Sequence, residues 1–177
     1  MSFIFRPCAL EMDEEAYAAF LIQHHAELNL PYSFPMKLSF MGGPLILGKG
    51  LLLFSEEPYE IAGAAGFVCG TGEHDYEDQH ICQIEIAFIR KEYRGTRLFA
   101  HGLNALIELM KKTSPGIQQV QFWVRAEDSL LERLLSKFTA LPGASKSPVN
   151  HLILYKIPFN ELEGYVQKLV AATRSSL

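Results

Sequence analysis

Apolar and polar positions along the chain change period several times, and each change predicts an element. Residues 3–10 (FIFRPCAL) predict a first strand. Residues 11–26 (EMDEEAYAAFLIQHHA) predict a helix, with acids in the opening turn that suit its positive end. From Asn29 to Gly50, three prolines and four glycines predict broken helix and loop. Phe34, Met36, Leu38, Phe40 and Met41 make that segment too apolar for a solvated tether. Three strands follow, LLLF (51–54), IAGAAGFVC (61–69) and HICQIEIAFI (80–89), joined by short turns that favour antiparallel pairing. The period then lengthens: Phe99, Leu103, Leu106 and Met110 stand at i, i+4, i+7 and i+11 and predict a helix over roughly 96–112.

QQVQFWVR (118–125) predicts another strand. Trp123 lies opposite Val120, Phe122 and Val124, so both faces carry apolar bulk, as in a central strand covered by helices. Ser129-Leu-Leu-Glu132 has capping-box spacing and opens a helix through about Phe138. After a turn rich in Gly, Pro and Ser, HLILYKI (151–157) predicts a last strand. Residues 159–173 predict a C-terminal helix, suited to packing on the same domain or to joining two copies as a homodimer.

Composition narrows the classes. A chain of 177 residues with 49% hydrophobic and 20% charged residues reads as one globular domain, 1–177. The net charge of −4 and the lack of a long basic run argue against nucleic acid as a partner. No apolar run is long enough to span a membrane, and the N-terminus lacks the positive region of a signal peptide. Cys8, Cys69 and Cys82 are odd in number and lack CxxC spacing, so reduced thiols in a cytoplasmic protein are expected. Adjacent His24 and His25 face different directions on a helix. His74, His80, Cys69 and Cys82 match no metal spacing, and no metal is expected. The acidic turn Glu73–Asp78 reads as solvated.

Candidate chemistry centres on EYRGTRLF (92–99), where Arg90, Lys91, Arg94 and Arg97 form a basic cluster in an acidic protein. Free N–H groups at a helix start bind phosphate oxygens, and a glycine there lets a ligand approach the backbone. Together with IEIAFIRKEYRG (84–95) and the element order, this stretch resembles the GNAT superfamily of N-acetyltransferases. The family pattern is a fourth strand carrying an acidic residue, then [QR]-x-x-G-x-[GA] opening a helix. Arg94 fits the leading position and Gly95 the glycine that follows; Arg97 replaces the next glycine and Phe99 the final Gly/Ala. Arg97 adds a guanidinium able to pair with phosphate, while Phe99 falls on the apolar stripe of the helix.

The resemblance implies an α/β fold with a mixed, mostly antiparallel central sheet covered by helices on both faces. It implies acetyl-CoA as co-substrate and an amine as acceptor. The loop residues Arg94, Gly95, Thr96 and Arg97 would hold the pyrophosphate. The backbone at Ile89, Arg90 and Lys91 would hold the pantetheine arm and thioester where the fourth and fifth strands splay. Glu85 would act as general base, with a pKa raised by burial, and Gln83 and Ala87 would share its face. Tyr32 and Phe34, in the segment after the first helix, would line the acceptor cleft. The tyrosine that often serves as general acid is missing: counted from Asp128 its place holds Leu135, and Tyr155 sits on the last strand. Two other readings stay open on the sequence: an inactive binding module of the same fold, and a scaffold for a different phosphate-bearing ligand.

Overall fold

The computed structural model describes residues 2–28, 30–127 and 129–174, without the side chains of residues 96 and 129–131. The elements are β1 (Phe3–Pro7), α1 (Glu11–Gln23), α2 (Phe34–Leu47), β2 (Gly48–Glu56), β3 (Tyr59–Cys69), β4 (Ile81–Ile89), α3 (Thr96–Thr113), β5 (Gln119–Arg125), α4 (Ser129–Thr139), β6 (Ser145–Val149), β7 (Leu152–Pro158) and α5 (Phe159–Arg174). The seven strands form one sheet in the order β1-β2-β3-β4-β5-β7-β6. Every neighbouring pair is antiparallel except β4 and β5, which the α3 crossover makes parallel.

Helices cover both faces, as the alternation within β2 makes plain. Leu51 and Leu53 join the core with buried residues of α3 and α5, while Leu52 and Phe54 point to the opposite core with Tyr17, Phe20 and Leu21 of α1 and Met41 of α2. The fold class expected from the sequence is the one observed. None of the helices, among the described residues, is long and apolar enough to cross a membrane. All three cysteines are free thiols, and Cys69 stands directly opposite Cys82 across β3 and β4.

Two elements differ from expectation. Residues 34–47 form a complete helix, α2, instead of broken helix and loop. Pro35 falls in the first turn, where its missing N–H is no loss. Pro44 lies near the helix end, buried against the sheet. There Gly66 makes the close approach feasible: a Cβ at that position would stand 2.2 Å from the Tyr17 hydroxyl and 2.8 Å from Pro44. Packing against a glycine surface outweighs the local cost of the prolines. The other difference is β6, an exposed edge strand with Pro148 in it, where a turn was expected. Edge strands tolerate proline because one side of their ladder is unpaired.

The acidic turn is structural. Asp78 accepts hydrogen bonds from the Thr71 N–H and hydroxyl, both at 2.6 Å. The side chain of the proposed Ser129 cap and the whole of the reference position Asp128 lie outside the described residues.

Candidate active site

The site begins where β4 and β5 part. Their pairing runs from Ile81↔Gln119 to Ile84↔Phe122 and stops there. Beyond it, β4 stays on β3 through Gly63↔Ile89, and β5 stays on β7 through Arg125↔Leu152. Each strand follows its outer neighbour, and a wedge opens between them. A bulge sits at its apex: Gly66 faces Ile86 and Phe67 faces Ile84, which leaves Glu85 as the extra residue.

This bulge corrects one expectation. Ile84 packs toward the α3 face and Ile86 toward the α1 face, so simple alternation fails at Glu85. Gln83 does reach the Glu85 carboxylate, donating from Nε2 to Oε1 at 3.0 Å. Ala87 instead pairs with Ala65, which belongs to the α3-side core. Trp123 is corrected as well: its face of β5 also carries Gln119 and the buried Gln121, so that face is not an apolar layer.

Those glutamines form a chain. Gln119 Nε2 donates to Gln121 Oε1 at 3.3 Å, Gln121 Nε2 to Gln83 Oε1 at 2.8 Å, and Gln83 onward to Glu85. Burial pushes the Glu85 carboxyl up to about 7, and the Gln83 hydrogen bond opposes the rise. Removing that donor in Gln83→Leu is expected to raise the carboxyl further, by roughly 0.5–1 pH unit. A pH–rate profile whose acid limb moves to higher pH would show it; an unmoved limb would mean that Gln83 does not act on Glu85. Sequence reasoning missed Gln121 as a partner of this site. Its signal was present in the alternating Gln-x-Glu of β4 and Gln-x-Gln of β5, but only the parallel register joins them.

Two adjoining cavities occupy the wedge. One, of about 260 Å³, is lined by Glu85, Phe122, Trp123 and Arg125 among others. The second, of about 460 Å³, reaches Ile89, Arg94 and Gly95. They share Leu28, Ala87, Phe99, Leu103 and Leu134 as a common wall. Phe99 is half-buried at that junction, packed on the core by one side and bordering both cavities by the other. Leu135, at the place counted for the missing tyrosine, lines the first cavity, and no tyrosine lines either one among the described residues. Tyr155 is only 1% exposed and stacks on Phe122 at 5.2 Å, inside the core.

At the far end, α3 starts at Gly95. Its first turn closes with Phe99 N–H on Gly95 O at 3.1 Å, so the N–H groups of residues 96–98 have no partner within the helix. Gly95 has no side chain to cap them, and a Cβ there would meet nothing within 4 Å. Arg97 is exposed in this turn, and Lys91 is exposed in the short turn before it. The main chain of Thr96 opens α3; its side chain lies outside the described residues. Arg94 folds back so that Nε donates to Ile89 O at 2.9 Å.

Arg90 is a further correction. Its N–H donates to Ala62 O at 2.8 Å, so its backbone serves β3 and not the wedge. Its guanidinium pairs with Glu60 at 3.0 Å and with Glu92, and donates to Ile61 O at 3.3 Å. Tyr93 also donates to Glu60. Arg90 thus clamps the loop onto β3 and adds no free charge to the basic cluster. Main-chain direction alternates along a strand, so Ala87 and Ile89 turn their N–H groups toward the departed β5.

Tyr32 and Phe34 fall on opposite sides of relevance. Burial, and then the Glu85 charge, raises the Tyr32 phenol, and its ring stacks on Phe40 at 4.9 Å. Phe34 is exposed and meets His25 edge-on at 4.9 Å. Neither lines the two cavities; from the same connection, Leu28 lines both and Leu30 the first.

Solved structures place this architecture. An acetyltransferase of the GNAT family from Streptococcus pneumoniae superposes with a TM-score of 0.58, covering 89% of this chain and 99% of its own at 18% identity. The chain has the GNAT acetyltransferase fold. The ribosomal-protein-S5-alanine acetyltransferase of Vibrio fischeri shares the GNAT fold at 13% identity, a TM-score of 0.59 and coverage of 92% and 96%. So does a Salmonella typhimurium protein assigned as an acetyltransferase and solved with its cofactor acetyl-CoA, at 14% identity, a TM-score of 0.59 and coverage of 90% and 95%. No family model matches the sequence, and no curated protein matches it. The likeness therefore lies in the GNAT fold, at sequence identities below one in five.

Proposed function

We propose that this chain is an acyl-CoA-dependent N-acyltransferase that moves an acetyl group from acetyl-CoA to an amine. The observation that carries the reading is the wedge itself. It joins a half-buried carboxyl at its apex to an uncapped helix start at its mouth, the two ends that a thioester on a pyrophosphate-bearing carrier requires.

In this reading the N–H groups of residues 96–98, with Arg94 and Arg97, hold the pyrophosphate. The Ala87 and Ile89 N–H groups face the pantetheine arm and the thioester oxygen. Glu85, held near neutrality by burial, takes the proton from the attacking amine. Water supplies the proton for the departing thiolate, because no tyrosine lines either cavity among the described residues. A thiol of pKa near 8.5 leaves without a strong acid. The lack of that tyrosine also favours a second reading, a binding module with no transfer chemistry.

Calorimetry with acetyl-CoA, CoA and ATP tests the ligand class. Saturable binding of acetyl-CoA, with thermal stabilisation, is expected. If neither acetyl-CoA nor CoA binds, the acyl-CoA reading is wrong; if ATP competes equally, the site holds phosphate-bearing ligands in general.

A further inference from the structure

The acceptor is not named by the fold, but the cavity at the wedge apex narrows its chemistry. Glu85 is the only carboxylate among the described residues that line it, and Arg125 is the only cation. Aromatic and aliphatic side chains such as Phe122, Trp123, Leu135 and Phe138 make up most of the remaining wall. Arg125 ends β5, is exposed, and forms no ion pair with any described carboxylate. The two charged residues stand on different strands, on the two sides of the wedge, with no ion pair between them.

A ligand bound there meets an anion on one strand, a cation on the other, and a wall of hydrocarbon beside them. A polyamine would need a second carboxylate in this cavity, and an amino sugar several hydrogen-bonding side chains; the wall offers neither. We infer that the acceptor is a free α-amino acid with an apolar or aromatic side chain, its amine at Glu85 and its carboxylate at Arg125. This rests on the acyltransferase reading and adds the substrate class to it. The adjoining cavity, which runs to Arg94 and Gly95, is left for the coenzyme. The two ligands meet at Ala87, the wall residue beside Glu85 common to both spaces.

The chemistry balances without a further reactant. The amine nitrogen bonds to the acyl carbon, the carbon–sulfur bond breaks, Glu85 accepts the amine proton, and the thiolate leaves and takes a proton from water. The product is an N-acetyl amino acid that keeps its negative charge and loses its positive one. Glu85, protonated after transfer, then has no cationic partner in the cavity, which favours release.

The test compares L-phenylalanine, L-phenylalaninamide and spermidine as acceptors, with thiol release from acetyl-CoA as the readout. It uses the full chain and its Arg125→Gln variant, and calorimetric binding of acetyl-CoA is measured first. L-Phenylalanine is expected to be the best acceptor. In Arg125→Gln its KM is expected to rise by about 10- to 100-fold, with the KM of the amide unchanged. If acetyl-CoA binds but the amide or spermidine equals the amino acid, or no acceptor turns over, the assignment of the acceptor is overturned. The same holds if Arg125→Gln affects acid and amide alike. If acetyl-CoA does not bind, the failure belongs to the acyltransferase reading, and this inference falls with it.

Discussion

Glu85→Gln is expected to lose roughly 100- to 10,000-fold in turnover while binding acetyl-CoA as tightly as the unaltered chain. The substitution keeps the shape of the side chain and an oxygen for Gln83 to donate to, and removes only the ability to take a proton. In the unaltered protein the rate is expected to climb with pH and level off above about 7, where the carboxyl is ionised. In the variant this limb should vanish. Stability should move the opposite way. The folded-state pKa lies above the ordinary 4.5, so folding opposes ionisation of Glu85. That penalty is absent below about pH 4.5, grows as pH rises to about 7, and is constant beyond. The span corresponds to about 3 kcal/mol. Glu85→Gln should therefore match the parent in denaturant melts at pH 4 and exceed it at pH 8. Gained stability with lost turnover identifies a residue kept for chemistry. A binding module would show the stability gain with its activity intact.

What was legible in the sequence follows the range of the interactions involved. Glu85 and the Arg94–Gly95 loop could be read because a strand, a turn and a helix start are written in one continuous stretch. The bulge was hidden, because HICQIEIAFI reads as an unbroken strand and the irregularity exists only relative to Gly66 and Phe67 of β3. Arg90 looked like a free charge for a related reason: its partner Glu60 lies on another strand, far away along the chain. Helix α2 was misjudged because proline and glycine were weighed locally, whereas the space that accepts Pro44 is created by Gly66. Phe99 was expected in the core, and half of that holds. The splay of β4 from β5 gives its other edge to the cavities.

The uncapped start of α3 leads to the other large effect. Gly95→Asp is expected to weaken coenzyme A binding by about 100-fold, equivalent to about 2.7 kcal/mol, without weakening the fold. Gly95 has φ −175°, an extended backbone open to any residue, and nothing stands within 4 Å of where a Cβ would be. Aspartate is among the best residues at a helix N-cap, so the helix loses nothing and gains a cap. Its carboxylate would accept from the same N–H groups that a pyrophosphate needs, and would set a negative charge against phosphate oxygens a few ångströms away. At an effective dielectric near 20, such a pair costs about 4 kcal/mol at 4 Å, less when salt screens it. Gly95→Ser serves as the control, because it caps the helix without the charge and should lose far less affinity. Calorimetry at low and high salt reads the difference, and ligand-free melting confirms that the fold is intact. If Gly95→Asp binds coenzyme A like the parent, the phosphates do not sit at this helix start, and the wedge holds some other ligand.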